Sequence, residues 1–183
     1  MSRPPLPLVV VASLFAVAIV WLVAASLTPR SVPTFLPDTA AGAAPSPAGD
    51  TVTIDARDAV RWRFFSFARG SLVPPDSAGW DLAIRRFRVL PAGDVARIDT
   101  LSFDELRSTP PDGYQPTTFS RDTVNPAMGR WYRYSWFSHL LSPKPGVYVI
   151  RSRSGQAVKL AFLSYYCPGP EPGCVTLRFA TLP

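Results

Sequence analysis

Hydrophobic residues fill one long stretch near the N-terminus without a charged residue among them. Residues 6–27 read LPLVVVASLFAVAIVWLVAASL, with Arg3 before the stretch and Arg30 after it. At about 1.5 Å per residue, a helix of this length crosses a hydrocarbon core of about 30 Å. The alternative is a cleavable signal peptide, whose apolar region is shorter, about 7–15 residues, and ends at a small-residue cleavage site. The pattern favours a retained single-pass transmembrane anchor over residues 1–29.

Small and turn-forming residues dominate the segment that follows. Residues 28–50 read TPRSVPTFLPDTAAGAAPSPAGD, a composition typical of a semi-extended linker rather than of a core. We therefore expect residues 30–50 to form a tether. Beyond it the chain changes to short runs rich in Val, Ile, Phe, Tyr and Trp, separated by Pro, Gly, Asp and Ser. This pattern predicts an antiparallel β domain over residues 51–183.

Alternating apolar and polar positions divide this domain into strands, because successive side chains of a strand point to opposite faces. We predict strands at residues 51–55, 60–67, 80–90, 94–98, 131–136, 147–153, 156–166 and 174–181. A helical turn is expected at residues 101–106, and irregular structure over residues 108–129. Ser154-Gly155 predicts a two-residue hairpin turn between two of the last strands.

Both cysteines flank a short loop between the last two predicted strands. Cys167 and Cys174 enclose the segment CPGPEPGC. Two cysteines in this position predict a disulfide, which persists in an oxidising compartment. Inert thiols and half of a zinc site are the alternatives, although zinc needs about four ligands and the distant His139 cannot complete the set. The disulfide favours a bacterial inner-membrane protein with its N-terminus in the cytoplasm and its β domain in the periplasm.

The net charge constrains the partners only weakly. The 183 residues include 19 Lys and Arg and 13 Asp and Glu, which gives a formal net charge of +6. Nucleic-acid-binding proteins show a basic cluster within a recognisable module, and this sequence shows none, so we expect no nucleic-acid partner. Anionic lipid headgroups or an acidic protein surface are compatible with the charge. The lipid bilayer is the expected partner of the apolar stretch.

Two aromatic motifs follow one another in the first half of the β domain: WRFFSF at residues 62–67 with Gly70, and GWDLAIRR at residues 79–86. They resemble, in the same order, two early strands of the HmuY family of haem-binding proteins. A third set of residues resembles the family's C-terminal hairpin: VYVIR at residues 147–151, then Gly155, Lys159 and SYY at residues 164–166. The resemblance covers roughly residues 51–180. It implies a mostly β, antiparallel HmuY-like domain, here preceded by a single transmembrane α-helix.

The resemblance also implies a cofactor and a type of ligand. In this family haem is held by two axial side chains, His or Met, that reach the iron from loops. The chain has one histidine, His139 in WFSHLLSP, and one methionine beyond the first residue, Met128 in NPAMG. A His139–Met128 pair is therefore the haem-ligand hypothesis. The structural alternatives are a histidine packed among aromatic residues and a methionine that fills a gap in the core.

The residue pattern does not support catalysis. The single histidine has no well-placed nucleophile for a Ser-His-Asp arrangement. Acidic residues such as Asp81, Asp104 and Glu105 are scattered rather than paired as in two-carboxylate hydrolysis. Neither a Gly-rich phosphate loop nor a metal-ligand spacing occurs. We expect a protein that is not an enzyme and that has no metal site of its own.

Two functions remain, and the sequence ranks them. The first is a non-catalytic accessory or structural subunit whose β domain docks on a larger membrane protein complex, for example a respiratory or photosynthetic one. Two features motivate it: the retained anchor, and the presence of only one histidine and one methionine beyond the first residue as possible haem ligands. Its candidate contacts are the aromatic residues Trp21, Trp131, Tyr132 and Trp136. The alternative is a membrane-tethered haem-binding protein in which His139 is an axial ligand.

The disulfide can be tested directly. We expect mass spectrometry of the digested, non-reduced protein to detect a peptide pair linked through Cys167 and Cys174. Such a bond forms and persists when the domain lies in an oxidising compartment. Two free thiols in protein isolated from its native membrane would contradict both the disulfide and the periplasmic placement.

Overall fold

The computed structural model describes residues 5–27, 31–38, 46, 48–118, 125–152 and 155–183. The chain divides into two compact units. The first unit comprises residues Met1–Ser31 together with Ser135–Leu140, and the second comprises Val32–Tyr134 together with Leu141–Pro183. We describe the two units separately.

The first unit is built on helix α1, Leu6–Leu27, whose bounds confirm the predicted apolar helix. None of its residues is buried, and the helix is apolar enough, as well as long enough, to cross a membrane. A signal sequence at an N-terminus meets the same criterion. A helix that is apolar on every side needs a nonpolar environment such as a bilayer, so α1 is a membrane-associating element.

The second unit is an antiparallel β structure, which confirms the predicted fold class of a β domain preceded by one N-terminal helix. Its strands in chain order are β1 (Asp50–Asp55), β2 (Arg63–Ser66), β3 (Ser71–Val73), β4 (Leu82–Arg85), β5 (Arg88–Pro91), β6 (Val95–Ile98), β7 (Tyr132–Tyr134), β8 (Leu141–Pro143), β9 (Val147–Arg151), β10 (Ala157–Cys167) and β11 (Glu171–Leu182). They form a five-stranded sheet in the order β1-β11-β10-β9-β6, a four-stranded sheet in the order β3-β2-β4-β5, and the two-stranded pair β7-β8. The predicted edge strand at residues 94–98 lies, as β6, at one edge of the larger sheet.

The long hairpin of β10 and β11 forms the centre of the larger sheet. The two strands pair from Ala157 opposite Leu182 to Cys167 opposite Glu171, with register shifts near Ser164. Cys167 and Cys174 form the predicted disulfide close to the turn, with their Cα atoms 5.0 Å apart. At the other end of β10, Ser154 of the predicted Ser-Gly turn lies outside the described residues.

Aromatic side chains join the two main sheets. Phe65 and Phe67 of the β2 region meet Phe179 of β11, with ring centroids 5.5 and 5.3 Å apart, and all three are buried. The Phe65–Phe179 contact is edge-to-face, a geometry that adds to the stabilisation from burying apolar area. The predicted alternation is confirmed here, because Phe65 and Phe67 face the core while Phe64 is only half-buried.

Two predicted strands are shorter or are divided in the structure. The strand expected from residue 60 begins at Arg63, because the Asp58 carboxylate accepts the backbone N–H groups of Val60 and Arg61 and holds a turn there. The prediction of a single strand over residues 80–90 was wrong. This segment contains a hairpin of β4 and β5, in which Arg86 adopts a positive φ of 53° and donates its N–H to the Ala56 carbonyl.

The predicted helical turn at residues 101–106 is confirmed and is tied to the sheet by a lysine. The N–H of Leu106 donates to the Ser102 carbonyl, and the Glu105 carboxylate accepts the Ser102 N–H, as in a capping box. The buried ammonium of Lys159 on β10 donates to the carbonyls of Phe103 and Leu106 at 2.6 and 2.8 Å. Burial lowers the pKa of Lys159, and these bonds satisfy its charge at the C-terminal end of the turn.

Part of the predicted tether is held against the sheet. Phe35 donates its N–H to the Tyr166 carbonyl at 3.1 Å, and the Asp38 carboxylate accepts the Thr53 N–H at 2.6 Å. The Ser164 hydroxyl also donates to the Pro33 carbonyl. Residues 32–38 therefore extend the second unit instead of forming a free linker, while residues 39–45 of the predicted tether lie outside the described residues.

The aromatic junction between the sheets provides a stability test. We expect Phe65→Ala to lower the free energy of unfolding by about 3–5 kcal/mol, because it removes a fully buried ring and leaves a cavity. Chemical denaturation of the full chain in detergent, followed by intrinsic fluorescence, measures the change. Phe64→Ala is the matched control, with an expected cost of about 1 kcal/mol. Equal costs at the two positions would contradict the assignment of the core face.

Candidate functional site

The predicted ligand His139 lies in loop 135–140, the segment that connects β7 to β8. Within this loop Ser135 donates its N–H to the Leu140 carbonyl at 2.9 Å, and Ser138 donates its N–H to the Ser135 hydroxyl. His139 has a positive φ of 53°, a backbone conformation in which histidine is several-fold enriched relative to most residues. Its side chain is exposed, so the loop presents an imidazole at the protein surface.

An apolar groove lies beside His139 within the first unit. The last turns of α1 and loop 135–140 together line a space of about 450 Å³. Its lining residues are Trp21, Leu22, Ala25, Ser26, Phe137, Ser138 and Leu140. Because His139 stands between two of these lining residues in the chain, the loop places a potential metal ligand next to an apolar surface.

Met128, the second predicted ligand, is in a different environment. Its side chain is 0% exposed in the second unit, and its N–H donates to the backbone carbonyl of Asn125 in a turn. The Asn125 side chain accepts the N–H of Ala127 and thereby closes the same turn. The thioether is therefore packed as a core side chain, and of the two predicted donors only His139 is exposed. The ligand role of Met128 stays a prediction.

The predicted partner contacts also divide into exposed and buried side chains. Trp131, a predicted partner contact, is buried: it is 0% exposed, stacks on Phe162 with centroids 4.2 Å apart, and donates its indole N–H to the Phe87 carbonyl. Its ring belongs to the core because the β10 side chains cover it. Tyr132 is half-buried against Phe87. Trp136 in the loop and Trp21 on α1 are exposed.

One hydrogen bond, which fixes the strand after the loop, has no signal in the sequence. The hydroxyl of Tyr166 on β10 accepts the N–H of Leu141, the first residue of β8, at 2.8 Å. The Ser-Tyr-Tyr motif was visible in the sequence, but the partner of its last hydroxyl was not. Within the described part of the chain, no cluster of three or more His, Cys, Asp or Glu side chains could hold a metal ion.

Solved structures show what this arrangement of strands is similar to. A protein from Bacteroides vulgatus assigned as a HmuY-like haem-binding protein matches with a TM-score of 0.64 and 18% identity, over 81% of this chain and 97% of that one. The apo HmuY analogue of Tannerella forsythia matches with a TM-score of 0.62 and 16% identity, over 74% and 96%. A Bacteroides fragilis protein assigned as a lipoprotein gives 0.62 and 19%, over 73% and 91%.

The chain has a HmuY-like fold. The resemblance noted in the sequence motifs is therefore confirmed at the level of the fold. No family model and no curated protein matches the chain in sequence. At these identities the HmuY-like fold is what the comparisons establish, so the function must be argued from the loop and its residues.

The Tyr166 hydrogen bond leads to a pair of opposite predictions. Tyr166→Phe should lower the free energy of unfolding by about 1 kcal/mol, because the N–H of Leu141 loses its acceptor. Tyr148→Phe should leave stability unchanged or raise it by about 1 kcal/mol, because the buried Tyr148 hydroxyl finds no hydrogen-bond partner among the described residues. Thermal unfolding of both variants in the same detergent provides the measurement.

Alkaline pH tests the second of these substitutions independently. Burial raises the pKa of Tyr148, so the folded protein keeps this proton at a pH where the unfolded chain releases it. Stability from this group is therefore complete below pH about 10 and is lost as the pH rises further. Tyr148→Phe should reduce that alkaline loss. An unchanged alkaline slope would contradict the buried environment of the hydroxyl.

Proposed function

We propose that this chain is a membrane-tethered haem-binding protein in which His139 is an axial ligand of the iron. The observation that carries the proposal is an exposed imidazole in a loop of a HmuY-like fold. One of the similar structures is a HmuY analogue, and another is assigned as a HmuY-like haem-binding protein. The proposed activity is binding and not catalysis.

The residues of the loop suit one face of a haem group. Haem iron accepts an imidazole nitrogen as an axial ligand, and the macrocycle is a flat apolar surface. His139 supplies the imidazole, and its neighbour Leu140 supplies apolar surface beside it. Met128 has no exposed surface in this structure, so the proposal assigns a single axial ligand to this chain. A bound haem would supply affinity for small axial ligands or electron transfer.

The anchor places this binding domain at a membrane. Helix α1 is long and apolar enough to cross a bilayer. We propose that it crosses the bacterial inner membrane once and that the β domain lies in the periplasm. The Cys167–Cys174 disulfide supports that side, because disulfides persist in the periplasm and are rare in the cytoplasm.

Docking on a larger membrane complex is the function that the sequence ranked first, and it stays a prediction. The burial of Trp131 removes one of its four candidate contact residues. The similarity to HmuY-like structures supports haem binding instead, since one of them is a HmuY analogue and another is assigned as a HmuY-like haem-binding protein. Haem binding is therefore the function that the observations favour.

Titration of the full chain in nanodiscs with haemin tests the proposal. We expect a shifted Soret band that saturates at one haem per chain, and we expect His139→Asn to weaken binding by about tenfold or more. Asparagine is the preferred replacement because it tolerates the positive φ at this position, so the loop conformation is kept.

Two further variants make the test specific. Ser142→Asn, at an exposed position of strand β8, should leave the affinity unchanged, since Ser142 is not among the residues that line the groove. Met128→Leu should also preserve the spectrum if the buried thioether does not coordinate iron. Binding that survives His139→Asn, or no Soret shift in the original protein, would refute the proposal.

A further inference from the structure

Two large aromatic side chains are exposed in succession at the tip of loop 135–140. Trp136 is 81% exposed and Phe137 is 82% exposed, whereas the other aromatic residues of neighbouring strand β7 are half-buried or 41% exposed. Exposed apolar side chains side by side on a loop cost solubility unless another surface covers them. The sequence of the loop, SWFSHL, contains no Asp, Glu, Lys or Arg that would oppose burial in a nonpolar phase.

The first unit indicates where these side chains lie. Phe137 and Leu140 line the same groove as Trp21, Leu22 and Ala25 of α1. Trp21 stands six residues before the end of the helix at Leu27, which is about 9 Å along the axis. Tryptophan is enriched at this depth, where a membrane-spanning helix passes from the hydrocarbon core to the headgroups. The loop therefore lies beside the part of α1 that belongs in the bilayer interface.

The residues that flank the loop in sequence carry positive charge. Arg130 and Arg133 precede it and are exposed, and Lys144 follows it. Basic side chains next to an apolar insertion are attracted to anionic lipid headgroups, while the aromatic rings enter the boundary between headgroups and acyl chains. The combination of an aromatic tip, basic flanks and an adjacent membrane helix fits a lipid surface better than a protein groove.

We propose that loop 135–140 inserts Trp136 and Phe137 into the interface of the bilayer that α1 crosses, on the side where α1 ends. The occupant of the exposed aromatic surface is the lipid of the same membrane. The proposal rests on the proposed membrane anchorage and is independent of haem binding. It gives the chain a second membrane attachment, through a loop, in addition to its helix.

Depth-dependent fluorescence quenching tests the insertion. The full chain is reconstituted into nanodiscs whose phospholipids carry bromine near the top of the acyl chain, a quencher of tryptophan in contact with it. The Trp136 contribution is the difference between the spectra of the original protein and of Trp136→Phe. We expect the brominated lipid to reduce that contribution by about twofold or more, as for a ring at headgroup depth.

Two matched variants separate the failure of this inference from the failure of the anchorage. The fluorescence of Trp21, obtained in the same way from Trp21→Phe, should also be quenched, because Trp21 belongs to α1. The fluorescence of Trp80, obtained from Trp80→Phe, should not be quenched, because Trp80 is half-buried against Phe64 in the second unit. Quenching of Trp21 without quenching of Trp136 would overturn the loop insertion and leave the anchorage intact, whereas quenching of neither would overturn both.

Two other results would also overturn the inference. Equal quenching of Trp80 and Trp136 would mean that the whole domain lies on the bilayer, with no specific role for the loop. A Trp136 contribution unquenched in nanodiscs but shielded from aqueous acrylamide in native membranes would assign the aromatic surface to a protein partner. Loss of the haemin signal has no bearing on any of these results.

Discussion

The pairing of β10 with β11 is the interaction on which the rest of the structure depends. These two long strands form the centre of the larger sheet, and each has a second neighbour, β9 and β1 respectively. A disulfide between Cys167 and Cys174 constrains the hairpin near its turn. The two cysteines are seven residues apart, so the bond closes a short loop in the unfolded chain and stabilises the hairpin by limiting the freedom of that chain.

Strand β10 also organises the segments outside the sheets. The side chains of Tyr166, Ser164 and Lys159 reach respectively to the start of β8, to residue 33, and to the helical turn after β6. Each bond satisfies a buried or half-buried polar group that would otherwise be costly. Strand β10 thus holds three segments in place: the start of β8, the tether at Pro33, and the helical turn at residues 101–106.

This division of roles explains why the fold and the candidate site can vary separately. The aromatic core around Phe65, Phe179 and Trp131 needs only apolar volume and the right strand order. The proposed haem site needs an accessible imidazole, and the proposed membrane insertion needs aromatic rings that face outward. A HmuY-like sheet can therefore persist at an identity of 16–19%, because its core places few demands on the residues of the loops.

Elements with a local signal could be predicted from the sequence: the bounds of α1, the antiparallel β class, strand β6 and the helical turn at residues 101–106. Apolar periodicity reports these because each residue contributes independently of distant ones. Only the tertiary structure decided that Trp131 and Met128 are buried while Trp136 and His139 are exposed, and that residues 80–90 fold back at Arg86. Burial and a left-handed turn without glycine depend on partners far away in the chain, such as Phe162 and Ala56, and no local pattern reports those partners.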